Sequence, residues 1–358
     1  MTTEIDASRL EEFAGRVMMM YQDAGVSFLI DVGYRTGLFE AAAQLEKPAT
    51  SQELADKAGL HERHVREWLG AMTASGIFTY DPSNKTYALP AEHAACLTGD
   101  TAANLAGLSQ FGTFLARHVP GVAKAFAEGG GVPYSAYRPE FTDLTDKMGR
   151  FTYDEFLVDA YLPAADGLVA KLESGIRAAD LGCGTGHCIN LMAKAFPNST
   201  FVGFDFADDA IAAARKEAES MGLTNATFEV QDVAAIPIDP PFELICAFDA
   251  IHDQAKPADV LKRACEALAP GGTFLMVDVN ASSNLENNLD NPMAAFFYTA
   301  STMHCMQVSL ALDGAGLGTV WGRELAIQML GEAGFSDVST HDAPPADPFN
   351  LIYVSKKA

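Results

Sequence analysis

Asp180-Leu-Gly-Cys-Gly-Thr-Gly186 is the stretch of this 358-residue sequence that decides the fold, because it joins a short apolar segment to one with helical spacing. Its three alternate glycines allow the backbone to turn sharply and to approach a ligand closely. A dinucleotide-binding loop would have a further glycine at position 187, where this sequence has His187, and a P-loop would continue with Gly-Lys-Ser/Thr. The loop therefore predicts a cofactor site of a different kind.

After this loop, apolar strands alternate with amphipathic helices along the chain. Such alternation predicts a doubly wound, Rossmann-like, mostly parallel sheet with helices on both faces. We predict a seven-stranded α/β domain over residues 151–358, opened by a helix at 154–173. The predicted strands are 176–181, 200–204, 227–231, 244–248, 273–277, 337–340 and 349–355, and the predicted helices are 187–196, 207–221, 257–269 and 323–333.

The residues before this domain have the pattern of a winged helix. Thr50 or Ser51 is a suitable cap for a short helix that Gly59 would end. A second helix and a strand pair with a turn follow, as in a winged helix. We predict a helical amino-terminal domain over residues 1–150, with its winged helix at 51–89. Its predicted elements are helices within 4–47, at 61–74 and within 91–128, strands at 77–80 and 86–89, and a connecting loop at 129–139.

The composition indicates a globular chain with a large acidic excess. Hydrophobic residues make up 49% of the sequence, and the formal net charge is −23. Binding to nucleic acid or to an anionic membrane depends on lysine and arginine contacts with phosphate, so this charge argues against both partners. No apolar run reaches the roughly 18–20 residues of a membrane span. Because the first residues are polar and acidic, unlike a signal peptide, we expect a cytoplasmic location.

The six cysteines are scattered and form no C-x-x-C pair. In a chain of this size without a signal peptide, such cysteines indicate free buried thiols rather than disulfides. The sequence therefore predicts no metal site.

The glycine loop resembles motif I of class I S-adenosylmethionine-dependent methyltransferases, where it holds the methionine end of the cofactor. Leu268-Ala-Pro-Gly-Gly272, before the fifth strand, is similar to a second stretch of that family. The resemblance implies that S-adenosylmethionine is the cofactor. It implies that Asp205, at the end of the second strand, accepts the ribose hydroxyls, and that Asp232, after the third, meets the adenine. The implied cofactor residues are Asp180, Gly182, Gly184, Gly186, Asp205, Asp232 and Phe248.

Asp249-Ala-Ile-His-Asp-Gln254 follows the fourth predicted strand, at the sheet edge where α/β folds bind ligands. It resembles the Leu-His-Asp-Trp stretch of small-molecule O-methyltransferases of the caffeate and hydroxyindole type. The resemblance implies that His252 is the general base, and Asp253 could orient its ring or meet the cofactor. Gln254 replaces the family's tryptophan, and the acidic residues that flank the histidine in the plant enzymes have no evident counterparts. The expected acceptor is a small-molecule hydroxyl, with a thiol-bearing acid as the alternative.

An apolar segment at 293–306 is expected to roof the acceptor site, although aromatics and methionines at helical spacing are also common in a core. His304 interrupts this run and is a candidate substrate contact. Tyr153 and Phe151 are weaker candidates for closing over the cofactor.

The winged helix resembles the dimerisation domain of the same O-methyltransferase family, and bacterial winged-helix methyltransferases share the Ser-Thr-Met-His-Cys-Met run that ends the segment. The resemblance, together with apolar residues near the amino terminus, predicts a homodimer through residues 1–125. The rival interpretation is a transcription regulator that senses a ligand with its methyltransferase fold. It depends on Arg63 and Arg66, which lie where a recognition helix would read DNA, although Glu62 and Glu67 offset them.

Overall fold

The computed structural model describes residues 5–101 and 103–357. The chain divides into two compact units, one ending at Ala116 and the other beginning at Arg117. This division falls 34 residues before the predicted domain boundary at residue 150, which stays a prediction. Over the described residues, no helix combines the length and the apolar character needed to cross a membrane.

The first unit has the element order of a winged helix. Helix α3 is capped as predicted: the Thr50 N–H donates to Glu53 (2.7 Å), the Glu53 N–H donates to the Thr50 hydroxyl (3.3 Å), and Gly59 ends the helix with φ 67°. Helical structure is also confirmed near the amino terminus, from Ala7 onward. The elements are helices α1 (Ala7–Thr36), α2 (Leu38–Ala43), α3 (Ser51–Ala58), α4 (Glu62–Ala74) and α5 (Ala91–Leu97), and strands β1 (Thr79–Asp81) and β2 (Thr86–Ala88).

The core of this unit forms around one face of α4. Trp68 and Leu69 on that face are buried, and the Trp68 indole N–H donates to the Leu29 carbonyl over 2.8 Å. The ring of Phe39 meets Trp68 edge to face, with centroids 5.2 Å apart. Arg63 and Arg66 lie on the exposed side of α4 and pair with Glu67 and Glu62, so neither arginine is a free cation for phosphate.

The division between the units falls within helix α6 (Ser109–Glu128). The elements after α6 form an α/β layer structure. As predicted, strands and helices alternate after the glycine loop. The helices are α7 (Glu140–Phe156), α8 (Leu168–Ser174), α9 (His187–Ala195), α10 (Asp208–Ser220), α11 (Pro257–Ala267), α12 (Ala294–Ala300), α13 (Met306–Leu310) and α14 (Gly322–Glu332), and the strands are β3 (Arg177–Leu181), β4 (Thr200–Asp205), β5 (Ala226–Val230), β6 (Phe242–Phe248), β7 (Leu268–Val279), β8 (Phe335–Asp342) and β9 (Asn350–Lys357).

The seven strands form one sheet in the order β5-β4-β3-β6-β7-β9-β8, with only β9 antiparallel to its neighbours. The chain begins this sheet at β3, moves outward through β4 and β5, and then crosses to β6 on the other side of β3. Ligands of open α/β sheets bind beyond the carboxyl ends of the strands at such a reversal. The loops after β3 and β6 therefore lie side by side at the expected ligand position.

Two predicted helical segments are wrong in their bounds. Instead of one helix at 154–173, α7 starts already at Glu140, and turns of π and 3-10 type separate it from α8. Pro163 lacks the N–H that a helix interior needs, and Gly167 adopts φ 73°, so the helix cannot continue through them. The stretch predicted as helical over 91–128 is likewise interrupted between α5 and α6.

Candidate active site

The glycine loop joins β3 to α9 and forms an open cradle. Gly182, Gly184 and Gly186 have φ of 73°, 52° and 75°, a region that favours glycine. A Cβ atom at Gly182 would lie 2.7 Å from the Cβ of Ala250, in the loop after β6, so glycine is required for the two loops to approach each other. A Cβ at Gly184 would have no described atom within 4 Å, so the loop is open there to a ligand.

Two buried carboxyl groups flank this cradle. One oxygen of Asp180 is buried without a hydrogen-bond partner among the described residues, and burial, together with the charge of Asp205, raises the pKa of Asp180 to about 8. Asp205 accepts hydrogen bonds from the N–H groups of Gly184 (3.0 Å) and Ala207 (2.8 Å), and burial raises its pKa as well. An unpartnered buried carboxyl beside an open glycine cradle fits a ligand that has a cationic amino group.

The other predicted cofactor residues lie along the same edge of the sheet. Asp232 follows β5 and is exposed, and its carboxylate accepts the Ala234 N–H over 2.9 Å. Phe248 is the last residue of β6, and its ring centroid lies 5.4 Å from that of Tyr153. The structure thus brings Asp180, the glycines and Asp205 together at one loop, with Asp232 at the end of the strand next to β4.

His252, in the loop after β6, is held by an aspartate from the neighbouring strand. Its Nδ1 lies 2.7 Å from Oδ1 of Asp278 on β7, and both side chains are buried. In the neutral imidazole, this hydrogen bond places the ring proton on Nδ1 and makes Nε2 the nitrogen that can accept a proton. Burial alone would lower the pKa of His252, but the carboxylates of Asp278 and Asp253 outweigh it and hold the pKa well above its usual range.

Asp253 lies on the opposite side of the imidazole. Its Oδ1 is 3.5 Å from Nε2 of His252, is buried and has no hydrogen-bond partner among the described residues. The ring is therefore oriented by Asp278 rather than by Asp253, and Asp253 faces the nitrogen that would accept a proton.

The segment predicted to roof the site brings two further groups toward Asp253. A π-helical turn at Ser301–Cys305, a conformation frequent at functional sites, places His304 and Cys305 in the interior. The His304 ring stacks on Phe141, with centroids 3.5 Å apart, and its Nδ1 lies 4.0 Å from Oδ2 of Asp253. Burial lowers the pKa of His304 to about 4 and raises that of the Cys305 thiol to about 11, so both groups are neutral near pH 7.

Tyr153 on α7 reaches the end of β6. Its hydroxyl donates to Asp249 over 3.2 Å, and burial, reinforced by the charge of Asp278, raises the pKa of Asp249 to about 7. Asp249 adopts φ 49°, an uncommon conformation for a residue other than glycine, at the point where the strand turns toward His252. Phe151, the other residue considered for closing over the cofactor, is only partly buried.

A network of charged side chains connects α7 to the glycine loop and to α10. Arg150 forms a bidentate ion pair with Asp146 (2.9 and 3.1 Å) and a second ion pair with Glu217 on α10. Asp146 also accepts the hydroxyl of Thr185 in the glycine loop. His187, which stands where a dinucleotide loop would have glycine, hydrogen-bonds through Nε2 to Asp154 over 2.9 Å. No sequence pattern predicted this network.

Asp278 and Cys305 are the site residues that sequence reasoning missed. Asp278 follows four buried apolar residues, 274–277, near the end of β7, and a lone carboxylate there, at the sheet edge next to the His252 loop, was an available signal. Cys305 carried no such signal, because the π-helical turn that directs it toward His252 has no simple sequence pattern.

Two family models match the chain. Residues 24–99 match the model described as an Rv2258c-like winged HTH domain, and residues 172–327 match the model described as a methyltransferase domain. These ranges contain the predicted winged helix, the glycine loop and the His252 loop.

Among curated proteins, the trans-aconitate 2-methyltransferase of Methylobacterium nodulans is 30% identical over 141 residues, which are 39% of this chain and 50% of that protein. The chain thus spans about half the length of this relative. Among solved structures, human N-acetylserotonin methyltransferase in complex with SAM has a TM-score of 0.71 at 16% identity, covering 100% of this chain and 99% of that one. The mitomycin 7-O-methyltransferase MmcR has a TM-score of 0.71 at 18% identity, covering 98% and 100%.

The sheet order and the likeness to these solved structures define the fold of a class I methyltransferase, and residues 172–327, which contain the glycine loop, match the model described as a methyltransferase domain. More particularly, the chain combines a match to a winged-helix domain model with a match to a methyltransferase domain model that follows it.

Proposed function

We propose that this protein methylates a hydroxyl group of a small molecule, with His252 as the general base. The observation that carries the proposal is the hydrogen bond from His252 Nδ1 to the buried Asp278, which leaves Nε2 as the proton acceptor at the ligand edge of the sheet. An alcohol or phenol is a poor nucleophile while it is protonated, so it needs such a base near neutral pH.

Asp180, the glycine loop and Asp205 would hold the cofactor of this reaction, S-adenosylmethionine. The cofactor would supply an electrophilic methyl group on its sulfonium. The remaining requirements are positioning and one proton transfer. His252 Nε2 would take the hydroxyl proton of the acceptor as the oxygen–methyl bond forms and the sulfur–methyl bond breaks, which would leave a neutral thioether on the spent cofactor. Asp278 keeps the ring in the required tautomer and stabilises the imidazolium that forms. The proton then leaves from Nε2 to solvent after the methylated product departs.

Aromatic groups lie between the residue after Asp205 and the roof of the site, which supports a compact organic acceptor. The ring centroid of Tyr134 lies 5.4 Å from that of Phe206 and 5.9 Å from that of His304. Tyr134 therefore lies between Phe206, which follows Asp205, and the roof of the site. The relatives named for trans-aconitate, N-acetylserotonin and mitomycin also refer to small molecules, in agreement with this size of acceptor.

A thiol-bearing acid is the second candidate acceptor, and the raised pKa of His252 favours it. If the imidazole is largely protonated near neutral pH, it is a weak base for a hydroxyl. A thiol, with an ordinary pKa near 8.5, needs less help to lose its proton. Activity toward such an acceptor would rise at alkaline pH and would survive in large part in His252→Ala.

A panel of phenols, hydroxy acids and thiols with labelled S-adenosylmethionine tests the proposal. We expect label transfer to members of the hydroxyl set by the wild-type protein and loss of that transfer in His252→Ala, while cofactor affinity measured by calorimetry is unchanged. Absence of transfer to every hydroxyl, with S-adenosylmethionine bound normally, would reject a hydroxyl acceptor.

We further propose that the protein acts in the cytoplasm as a homodimer.

A further inference from the structure

We propose that His252, Asp253 and Cys305 form a zinc-binding site, with the fourth coordination position open toward His304. This inference goes beyond the proposed methyl transfer, because the metal site is defined by its own ligand atoms and can be tested without a methyl acceptor.

The three side chains have the composition and spacing of a zinc centre. One ligand atom from each, an imidazole nitrogen of His252, a carboxylate oxygen of Asp253 and the Cys305 sulfur, lie within 4.8 Å of one another. Zinc is bound in proteins by this mixture of nitrogen, sulfur and oxygen ligands at about 2.0–2.3 Å. Atoms at these separations can share one ion after small rotations of the side chains.

The second shell is already arranged for a metal-bound histidine. A ligating imidazole generally donates its other ring N–H to a carboxylate, which fixes the tautomer and orients the ring. Nδ1 of His252 has this partner in Asp278, over 2.7 Å, and Nε2 points toward Asp253 and Cys305. Asp278 is fully buried and also accepts the Val279 N–H over 2.8 Å, so its position is fixed.

Unpartnered polar atoms in the same place point independently to a ligand. Both ring nitrogens of His304 lack a hydrogen-bond partner among the described residues, although the side chain is fully buried. Oδ1 of Asp253 is buried and unpartnered as well. Buried polar groups without partners are costly and uncommon. Zinc would satisfy Asp253 directly, and a water at the fourth position would give His304 Nδ1, 4.0 Å from Asp253, a partner.

The ligand set selects the metal. Thiolate and imidazole ligands disfavour Mg²⁺ and Ca²⁺, which prefer oxygen, and suit Zn²⁺. Among the direct ligands, one thiolate and one carboxylate balance the two positive charges of the ion, and the Asp278 carboxylate lies in the second shell. On binding, the Cys305 S–H bond and, from an imidazolium, the His252 Nε2–H bond break, the sulfur–zinc and nitrogen–zinc bonds form, and the protons leave to solvent. No change of oxidation state is involved.

Zinc loading has a consequence for the general base. The Nε2 lone pair of His252 cannot bind a metal and accept a proton at the same time. Zinc bound here would therefore suppress methyl transfer that depends on His252 as the base.

Cobalt substitution tests the site directly. The full-length protein, freed of metal by chelator dialysis, is titrated with Co²⁺ without S-adenosylmethionine. We expect one equivalent to give the visible bands of four-coordinate cobalt and the near-ultraviolet sulfur-to-cobalt charge-transfer band, with displacement by Zn²⁺. Cys305→Ser should abolish the charge-transfer band and weaken zinc binding by at least about tenfold. Cys265→Ser, which removes another buried thiol on α11, should change neither.

Asp278→Asn adds a test of the second shell. Loss of an outer-shell partner typically lowers metal affinity by 10–100-fold, and we expect a loss in this range. Asp253→Asn provides a second ligand variant if Cys305→Ser does not fold, as judged by circular dichroism. Failure of wild-type protein to produce the charge-transfer band, or equal zinc affinity in wild type and the folded ligand variants, would overturn the site. Cofactor calorimetry and methyl transfer report separately, so a wild-type protein that transfers methyl groups but binds neither Co²⁺ nor Zn²⁺ at these residues would reject this inference alone.

Discussion

The imidazole of His252 has a carboxylate on each side, and this arrangement sets the pH range in which it can act. Because the folded-state pKa is raised, the neutral base forms only as the pH rises above the ordinary value near 6.5. We predict that kcat for a hydroxyl acceptor increases with pH and is half-maximal above pH 6.5. His252→Ala should lower turnover by roughly 10²–10⁴-fold. A pH–rate series on both proteins checks this, and near-normal turnover of His252→Ala would remove the histidine from the mechanism.

The carboxyl group of Asp180 titrates in the same range for a different reason. Burial raises its pKa to about 8, so it is mostly protonated at pH 7 before the cofactor binds. A cationic amino group placed beside it would lower this pKa. We therefore predict that S-adenosylmethionine binding releases a proton near pH 7 and tightens as the pH rises toward 8. Calorimetry in buffers of different ionisation enthalpy measures the release, and Asp180→Asn should eliminate it. Equal proton release in both proteins would contradict this assignment.

An ion pair between Arg150 on α7 and Glu217 on α10 links these two helices. Burial alone would raise the pKa of Glu217, but hydrogen bonds from His187, Arg150 and Asn190 lower it to about 2. A carboxylate with a depressed pKa stabilises the fold above its unfolded-state pKa, near 4.5, and this stabilisation is lost as the pH falls toward 2. We predict that Glu217→Gln lowers the free energy of unfolding by about 1–3 kcal/mol at pH 7.

Chemical denaturation of this variant at pH 7 and at pH 3 provides the measurement. The difference from wild type should shrink at the lower pH, where the Glu217 carboxylate loses part of its advantage. Glu219→Gln removes an exposed carboxylate from the same helix and is the matched control. A variant as stable as this control at pH 7 would show that the network does not stabilise the fold.

The elements that the sequence predicted well are those fixed by local chemistry. The capping box at Thr50 and the strand–loop–helix around Gly182 depend on residues close in sequence, so their patterns are visible in the chain alone. The start of α7 at Glu140 was missed because its first residues mix polar and apolar types and follow a segment rich in glycine and proline. Asp278 could not be paired with His252 from spacing alone, since the order of β6 and β7 in the sheet brings them together.

At the scale of the whole molecule, the amino-terminal helix leaves an apolar stripe exposed. Leu10, Phe13, Val17 and Met20 recur at helical spacing on α1, and the side chains of Leu10 and Phe13 are 57% and 61% exposed. An apolar stripe that is this exposed usually marks an association surface. A second copy of the chain could cover it isologously, since most soluble oligomers are symmetric dimers.

We predict that the protein is a dimer and that Phe13→Glu combined with Met20→Glu makes it monomeric, because buried carboxylates without partners would oppose association. Light scattering should give a mass near twice the 38.1 kDa of one chain for the wild type and near one chain for the double variant. Leu312→Glu, at an exposed leucine in the second unit, should remain dimeric. S-adenosylmethionine binding should persist in the monomer, because the glycine loop and Asp205 lie within one chain. A wild-type protein that is monomeric at micromolar concentration would contradict the prediction, and a double variant that remains dimeric would place the interface elsewhere.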